Sequence, residues 1–172
     1  KVMDLLQDLI DEYPDFPKKG IIFKDILPIL TKPTIFKKLI NSMSEWDVLK
    51  KCDAIIAIDA RGFIFGSAVA LEMKKPLVLA RKPGKLPGEL LEKTYQLEYG
   101  TNSLCIQKKL IKPYETFVII DDLLATGGTV NCVRQIIQNE KKSVIGLSVL
   151  IELQSLLGRE KFNFPVSSIL KC

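Results

Sequence analysis

The sequence predicts an α/β fold with a doubly wound, mostly parallel central sheet and helices on both faces. Its apolar stretches at 54–58 and 143–151 lack polar alternation, which is typical of strands buried on both faces. Segments with apolar residues at helical spacing lie between such stretches, and this alternation indicates a doubly wound sheet. With 172 residues and 47% hydrophobic content, one domain covering 1–172 is expected.

The predicted elements follow this alternation along the chain. N-terminal helices come first, one over residues 2–12 and one that starts near Pro33 with Thr31 as its cap. A long connection rich in glycine, proline and lysine then follows at 81–89. The remaining predicted elements are strands at 54–58, 77–81, 93–99, 102–107, 116–120 and 143–151, and helices at 63–73 and 129–139.

Composition narrows the classes of function. The chain has no histidine, which removes Ser-His, Cys-His and metal-His chemistry. Its four cysteines lack CxxC spacing, so we expect neither a zinc site nor a disulfide framework, and a reducing cytoplasm fits best. No apolar stretch approaches the roughly 20 residues of a membrane span. The net charge of +5 comes from dispersed lysines, which predicts no nucleic-acid partner.

Two predicted loops lie at the carboxyl ends of strands, where open α/β sheets bind ligands. They are 59–62 and 121–129. In the second, Gly127 and Gly128 allow the backbone to approach a ligand closely, and Thr126 and Thr129 supply hydroxyls. Because this turn precedes a predicted helix, free N–H groups and the helix dipole would attract a phosphate.

Two adjacent acids precede that turn. Asp121 and Asp122 would repel a triphosphate, and no lysine follows the glycines as in a P-loop. Carboxylates instead accept hydrogen bonds from a sugar diol and stabilise nearby positive charge. Phosphate and diol together describe a ribose 5-phosphate group. Adjacent residues of an extended segment point to opposite faces, so the two acids need not share one role.

The segment DDLLATGGT resembles the phosphoribosyl pyrophosphate (PRPP) binding motif of type I phosphoribosyltransferases, in the form used by the adenine-specific members. The likeness continues in order along nearly the whole chain. Its further segments are YPDFPKKGIIFKDI (13–26), DARGFIFG (59–66), RKPGKLPGE (81–89), YQLEYG (95–100) and GREK (158–161).

The resemblance implies a role for each matching position. The 5-phosphate would lie on Ala125, Thr126, Gly127, Gly128 and Thr129. Asp121 and Asp122 would face the ribose hydroxyls. Pyrophosphate would bind Asp59, Ala60 and Arg61, often with a cis peptide between the first two, and Arg81, Lys82 and Lys85 would follow it. These three cations lie in a segment, about 81–107, that resembles the family's flexible hood or lid.

The resemblance also implies a base site and a catalytic group. Ile22, Phe23 and Lys24 match the family's adenine site, where the phenyl ring stacks on the base. The family favours arginine where this chain has Lys24, and lysine lacks the planar fork. Glu98 and Tyr99 match residues near the reaction centre, with Glu98 handling the purine proton. Arg61 completes the expected catalytic set.

The implied reaction converts adenine and PRPP to AMP and pyrophosphate through an oxocarbenium-like transition state. Mg²⁺ would be chelated mainly by the substrate, and the family implies a cytoplasmic homodimer. Two alternatives stay open. One is a relative that uses hypoxanthine, guanine or xanthine. The other is a PRPP-sensing regulator without transfer chemistry, although no helix-turn-helix extension is apparent.

Overall fold

The computed structural model describes residues 2–97 and 100–172. It comprises two compact units, Lys1–Met43 and Ser44–Cys172. Within the described residues, no helix is both long and apolar enough to cross a membrane. The assignment of the whole chain to one domain stays a prediction.

The first unit carries an antiparallel hairpin among short helices. Its elements are α1 (Val2–Gln7), β1 (Asp11–Pro14), β2 (Ile22–Asp25), α2 (Leu27–Leu30) and α3 (Pro33–Ser44). The predicted start of α3 at Pro33 is confirmed. The predicted helix over 2–12 was wrong beyond Gln7, because Asp11 pairs with Asp25 as the hairpin begins. Strand pairing across the turn thus replaces the last helical turn.

The second unit is built on a five-stranded parallel sheet in the order β4-β3-β7-β8-β9. The predicted α/β fold class is confirmed. Strand β9 was not predicted, nor was α4, because short segments carry little periodicity. The elements of the sheet layer are α4 (Asp47–Lys51), β3 (Ala54–Ile58), α5 (Gly62–Met73), β4 (Leu77–Ala80), β7 (Thr116–Leu124), α7 (Gly128–Asn139), β8 (Ser143–Glu152) and β9 (Val166–Lys171).

Helices cover both faces of this sheet. Ile56 of β3 and Ile119 of β7 belong to the apolar core that includes Val133 of α7. The next residue of β3, Ala57, points to the opposite face, where Gly66 of α5 approaches it. A Cβ atom at Gly66 would lie 2.5 Å from the Ala57 Cβ, so glycine permits this close packing. Strand β3 is therefore apolar throughout because both of its faces are buried.

The predicted hood contains a two-stranded antiparallel ribbon. Its strands are β5 (Leu90–Gln96) and β6 (Thr101–Gln107), followed by α6 (Lys108–Ile111). The predicted strand 93–99 therefore starts earlier, and its end at 98–99 lies outside the described residues. The base of the ribbon is tied to the sheet layer, because Arg81 and Cys105 form an antiparallel bridge.

Candidate active site

A cavity of about 270 Å³ opens at the carboxyl ends of β3 and β7. These strands are neighbours and pair in parallel, so the segments that follow them meet at one edge of the sheet. This is the place where open α/β sheets bind ligands. The cavity is lined by residues 58–61 and 121–130, which brings together the predicted ribose, 5-phosphate and pyrophosphate segments.

The floor of the cavity is the start of α7. Gly127 stands at the cap position with φ of 87°, a left-handed conformation that glycine adopts without strain. The helix begins at Gly128, and its first amides have no carbonyl partner inside the helix. Because glycine has no side chain, no cap side chain covers these N–H groups. The geometry is that of an anion cradle.

The two acids lie in a strand, which corrects the prediction of a loop at 121–129. Strand β7 continues to Leu124 because β8 extends beside it, with Asp121 opposite Val149 and Leu124 opposite Glu152. The prediction ended the strand at 120, since two acids rarely continue a buried strand. Pairing with a long neighbour overrides that local preference.

The Asp121 carboxyl group has a pKa well above its usual range. Removal from water is the main cause, followed by the charge of Asp122, while Arg61 acts in the opposite direction. The Asp122 backbone N–H also donates to Asp121 Oδ1 at 2.8 Å. The strand end thus holds two carboxyl groups in unlike surroundings, which fits separate roles for them.

Arg61 forms an ion pair with the second acid. Its Nε lies 2.8 Å from Asp122 Oδ2, and Asp122 is only 8% exposed. The pair places a positive and a negative group side by side in the cavity wall. A guanidinium has five N–H donors in a fixed fork, so Arg61 is equipped to serve a carboxylate and a phosphate together.

Gly62 allows this arrangement, a role that the sequence did not reveal. A Cβ atom at Gly62 would lie 2.9 Å from Asp121 Oδ1 and 3.1 Å from the Ile120 carbonyl oxygen. A side chain there would therefore push the acidic strand end away. The 59–66 segment visibly contains a glycine at this position. The reason that glycine is needed there depends on strand β7, which is distant in sequence.

The loop at 59–61 has the cis peptide bond between Asp59 and Ala60 that the resemblance implies. The Asp59 side chain turns toward the hood, where Arg81 Nε and the Lys82 backbone N–H both lie 3.4 Å from its Oδ2. Arg81 also lies over the Phe63 ring, 5.5 Å from its centroid. The Asp59 carboxylate thus organises Arg81 and Lys82.

Several predicted site residues do not line this cavity. Arg81 is held beside Asp59, and the side chains of Lys82 and Lys85 are exposed in the hood. Glu98 and Tyr99 lie outside the described residues. Their predicted roles stay predictions.

The predicted base-binding residues are on β2 of the first unit. Phe23 packs its ring edge-on against Phe16 at a centroid distance of 5.1 Å. Lys24 donates to Glu12 Oε1 at 2.6 Å across the hairpin, so its ammonium group is already paired. Ile22 is 59% exposed. Strand β2 of the hairpin therefore presents apolar surface, and the ammonium group of Lys24 is held by Glu12.

The segment 158–161 supports the turn at 125–128 from behind. Gly158 packs so closely on the Ala125 carbonyl oxygen that a Cβ atom would collide with it. A Cβ atom at Gly127 would in turn lie 3.1 Å from the Gly158 carbonyl oxygen. The resemblance included this segment but implied no role for it. In the structure, the segment forms the wall behind the cradle.

A partly buried network anchors that wall. Arg159 donates to both carboxylate oxygens of Glu152, at 2.8 and 2.6 Å, and Ser168 donates to the same group at 2.7 Å. The hydrogen bonds from Arg159 are the main reason that the pKa of Glu152 falls to about 2. Strands β8 and β9 are thereby tied to the 158–161 turn.

Replacing Glu152 with glutamine is expected to lower the free energy of unfolding by about 1 to 3 kcal/mol at pH 7. The folded-state pKa of about 2 lies below the ordinary value of 4.5. The stabilisation is therefore fully present above about pH 4.5 and is lost as pH falls through about 2. Urea unfolding at pH 7 and at pH 3 would measure it, with the exposed Glu115→Gln variant as control. A difference between variant and wild type that grows on acidification would contradict this assignment.

The Phosphoribosyl transferase domain family matches residues 29–169. The chain belongs to this family. Its adenine-specific branch is indicated by two curated relatives, both adenine phosphoribosyltransferases from Prochlorococcus marinus. The protein of strain AS9601 is 60% identical, covering 97% of this chain and 98% of the relative. That of strain MIT 9312 is 56% identical, covering 96% and 98%.

Solved structures of the same enzyme share the fold of this phosphoribosyltransferase. Adenine phosphoribosyltransferase from Thermoanaerobacter pseudethanolicus is 40% identical with a TM-score of 0.92, and 99% of each chain is covered. The Saccharomyces cerevisiae enzyme, complexed with an imino-altritol bisphosphate and adenine, is 35% identical with a TM-score of 0.87, and 98% of each chain is covered. The enzyme class predicted from the sequence is therefore confirmed.

Proposed function

We propose that this phosphoribosyltransferase transfers the 5-phosphoribosyl group of PRPP to adenine, which yields AMP and pyrophosphate for purine salvage. The observation that carries the proposal is one cavity in which an uncapped helix start, two carboxyl groups and Arg61 lie together. These groups suit a phosphate, a ribose diol and a diphosphate respectively. The names of the relatives support adenine as the base.

The 5-phosphate is proposed to bind the turn formed by Ala125 to Thr129. The first amides of α7 point along the helix axis, and the dipole of a 12-residue helix favours an anion at this end. Thr126 and Thr129 add hydroxyl donors. Holding the phosphate here would place the attached ribose against Asp121 and Asp122.

The diphosphate is proposed to lie against Asp59, Ala60 and Arg61, which line the other side of the cavity. Arg61 would offer its planar fork to phosphate oxygens while Asp122 keeps it oriented. In this proposal Arg81, Lys82 and Lys85 follow the diphosphate when the hood closes. Closure would exclude water from the reacting sugar.

Bond breaking at the anomeric carbon is proposed to run ahead of attack by adenine N9, with inversion of configuration. Positive charge would then develop on the ribose, beside Asp121 and Asp122. An ionised carboxylate stabilises such charge, and the low exposure of Asp122 strengthens the interaction. Glu98 is proposed to handle the purine proton, with Tyr99 beside it.

Mg²⁺ is the proposed cofactor. Asp121 and Asp122 line the cavity and would attract the cation, whose direct ligands come mainly from the diphosphate and the ribose hydroxyls. When bound, the ion supplies positive charge that offsets the charge of the diphosphate.

Adenine is proposed to bind on Ile22, Phe23 and Lys24, with the Phe23 ring stacked on the base. Lys24 is held by Glu12, so we assign base reading to backbone groups of β2 and not to the ammonium group. Lysine at this position is therefore compatible with adenine binding.

Phe23→Ala is expected to raise the KM for adenine by roughly 5- to 100-fold, because stacking of a base on an aromatic ring contributes about 1–3 kcal/mol. Ribose 5-phosphate affinity should stay within twofold. Initial rates at saturating PRPP, together with calorimetry for ribose 5-phosphate, would check both. Leu110→Ala, at a partly exposed position on α6, serves as the control. An unchanged KM for adenine would remove Phe23 from the base site.

We also propose a cytoplasmic homodimer. Helix α5 supports association, because its apolar residues surround the whole helix and Leu71 is 83% exposed. A helix that is apolar all round is ordinarily covered on every side. Sedimentation of the purified chain would test the dimer.

The decisive experiment offers adenine, hypoxanthine, guanine and xanthine separately with PRPP and magnesium, and measures product formation. Rapid formation of AMP from adenine alone is expected. Product formation from one of the other bases would show that this base, and not adenine, is the substrate. Binding of PRPP without transfer to any base would favour a sensor of PRPP and overturn the proposed reaction.

A further inference from the structure

The hood touches the phosphate cradle through one pair of hydroxyl groups. Tyr95, the second-last residue of β5, places its hydroxyl 3.1 Å from Thr129 Oγ1. Thr129 is the second residue of α7. The Tyr95 ring also lies over the helix start, 3.8 Å from the position of a Cβ atom at Gly128. The strand is thus in contact with the turn proposed to hold the 5-phosphate.

A second contact fixes the same strand on the same helix. The Cys132 thiol donates to the Lys93 carbonyl oxygen at 3.3 Å. Residues 129 and 132 are three apart and therefore share one face of α7. Leu91 and Tyr95 pack against the core that contains Cys132. Strand β5 is therefore anchored on α7 by both hydrogen bonds.

The hydrogen bond between the Tyr95 and Thr129 hydroxyls can run in either direction. Each hydroxyl donates one hydrogen bond and accepts others, and either oxygen of this pair suits the donor role. If Thr129 donates its proton to a phosphate oxygen, Thr129 Oγ1 must accept from the Tyr95 hydroxyl. The result is a chain from Tyr95 through Thr129 to the ligand, in which each hydrogen bond polarises the next.

We propose that Tyr95 is a positioning residue that directs the Thr129 hydroxyl at the 5-phosphate and so links occupation of the cradle to the placement of the hood strand. Tyr95 acts through Thr129 and does not touch the ligand. This inference rests on the proposed function, since it takes the α7 start as the 5-phosphate site. It assigns a phosphate-sensing contact to the strand that leads, in sequence, toward Glu98.

Tyr95→Phe isolates the hydroxyl because it keeps the ring and its packing. Calorimetry is expected to show that this variant binds ribose 5-phosphate roughly 3- to 10-fold more weakly than wild type. A loss of this size corresponds to the contribution of one hydrogen bond. Thr129→Val should weaken binding by at least as much. The double variant should bind no more weakly than Thr129→Val alone, because Tyr95 has no route to the phosphate without that hydroxyl.

Two controls separate positioning from general stabilisation. Cys132→Ala removes the hydrogen bond to the Lys93 carbonyl oxygen of β5. It should lower the thermal midpoint while ribose 5-phosphate affinity stays within twofold. Thr129→Ser retains a hydroxyl and should retain most of the affinity. In steady-state assays Tyr95→Phe should raise the KM for PRPP with little change in the KM for adenine.

Affinity equal to wild type in Tyr95→Phe, or additive losses in the double variant, would overturn the proposal. If the wild-type protein fails to bind ribose 5-phosphate, both the proposal for Tyr95 and the assignment of the α7 start as the 5-phosphate site are overturned. Wild-type protein that binds ribose 5-phosphate but makes no AMP would overturn the proposed reaction alone, and the double-variant comparison would still decide the role of Tyr95.

Discussion

Arg61→Ala is expected to lower kcat/KM for PRPP by about 100- to 1000-fold, the usual cost of removing one preorganised donor from developing negative charge. The guanidinium lies in the cavity wall, 2.8 Å from Asp122. Its removal would take away phosphate donors and leave a nearly buried carboxylate without this counter-ion. Steady-state kinetics with adenine and PRPP would measure the loss.

Two further variants provide comparisons for that experiment, one a conservative substitution of Arg61 and the other a substitution of a different arginine. Arg61→Lys keeps one charge but lacks the fork, so it should recover only part of the activity. Arg134→Ala is the matched control, because Arg134 bonds to Asn131 and Gln138 on the surface of α7. It should leave kcat/KM within about twofold. Near-normal activity of Arg61→Ala would exclude Arg61 from the transfer step.

Gly158→Ala is expected to weaken ribose 5-phosphate binding by about 10- to 100-fold, although Gly158 touches no part of the proposed ligand. Its added Cβ would collide with the Ala125 carbonyl oxygen, so the turn proposed to bind the 5-phosphate must shift. Displacement of a positioned site by about 1 Å is enough to cost about 100-fold in rate. The free energy of unfolding should fall as well, by about 1–3 kcal/mol, as in other overpacked sites.

Calorimetry with ribose 5-phosphate and urea unfolding would measure the two effects separately. Ser155→Ala is the matched control, because it changes an exposed residue of the neighbouring turn. It should change neither quantity. Wild-type affinity in a folded Gly158→Ala protein would show that the 158–161 segment does not support the cradle.

Much of the fold followed from local pattern. Strand 54–58 and the helix start at Pro33 were predicted at their observed positions, since continuous apolar character and a proline at the first helical turn are short-range signals. The predicted strand end at 120 was less accurate, because it depends on which strand lies alongside. The hairpin at 11–25 was missed for the same reason.

By itself, the sequence determined the alternation of strands and helices and the glycine turn before α7, and it contained the residues proposed to bind the phosphate and the ribose. These are local properties of backbone conformation and side-chain chemistry. The tertiary structure decided that Arg61 pairs with Asp122, that Gly158 supports Ala125 and that Tyr95 reaches Thr129. Each of these contacts joins residues more than thirty positions apart, so it exists only once the sheet has brought their segments together.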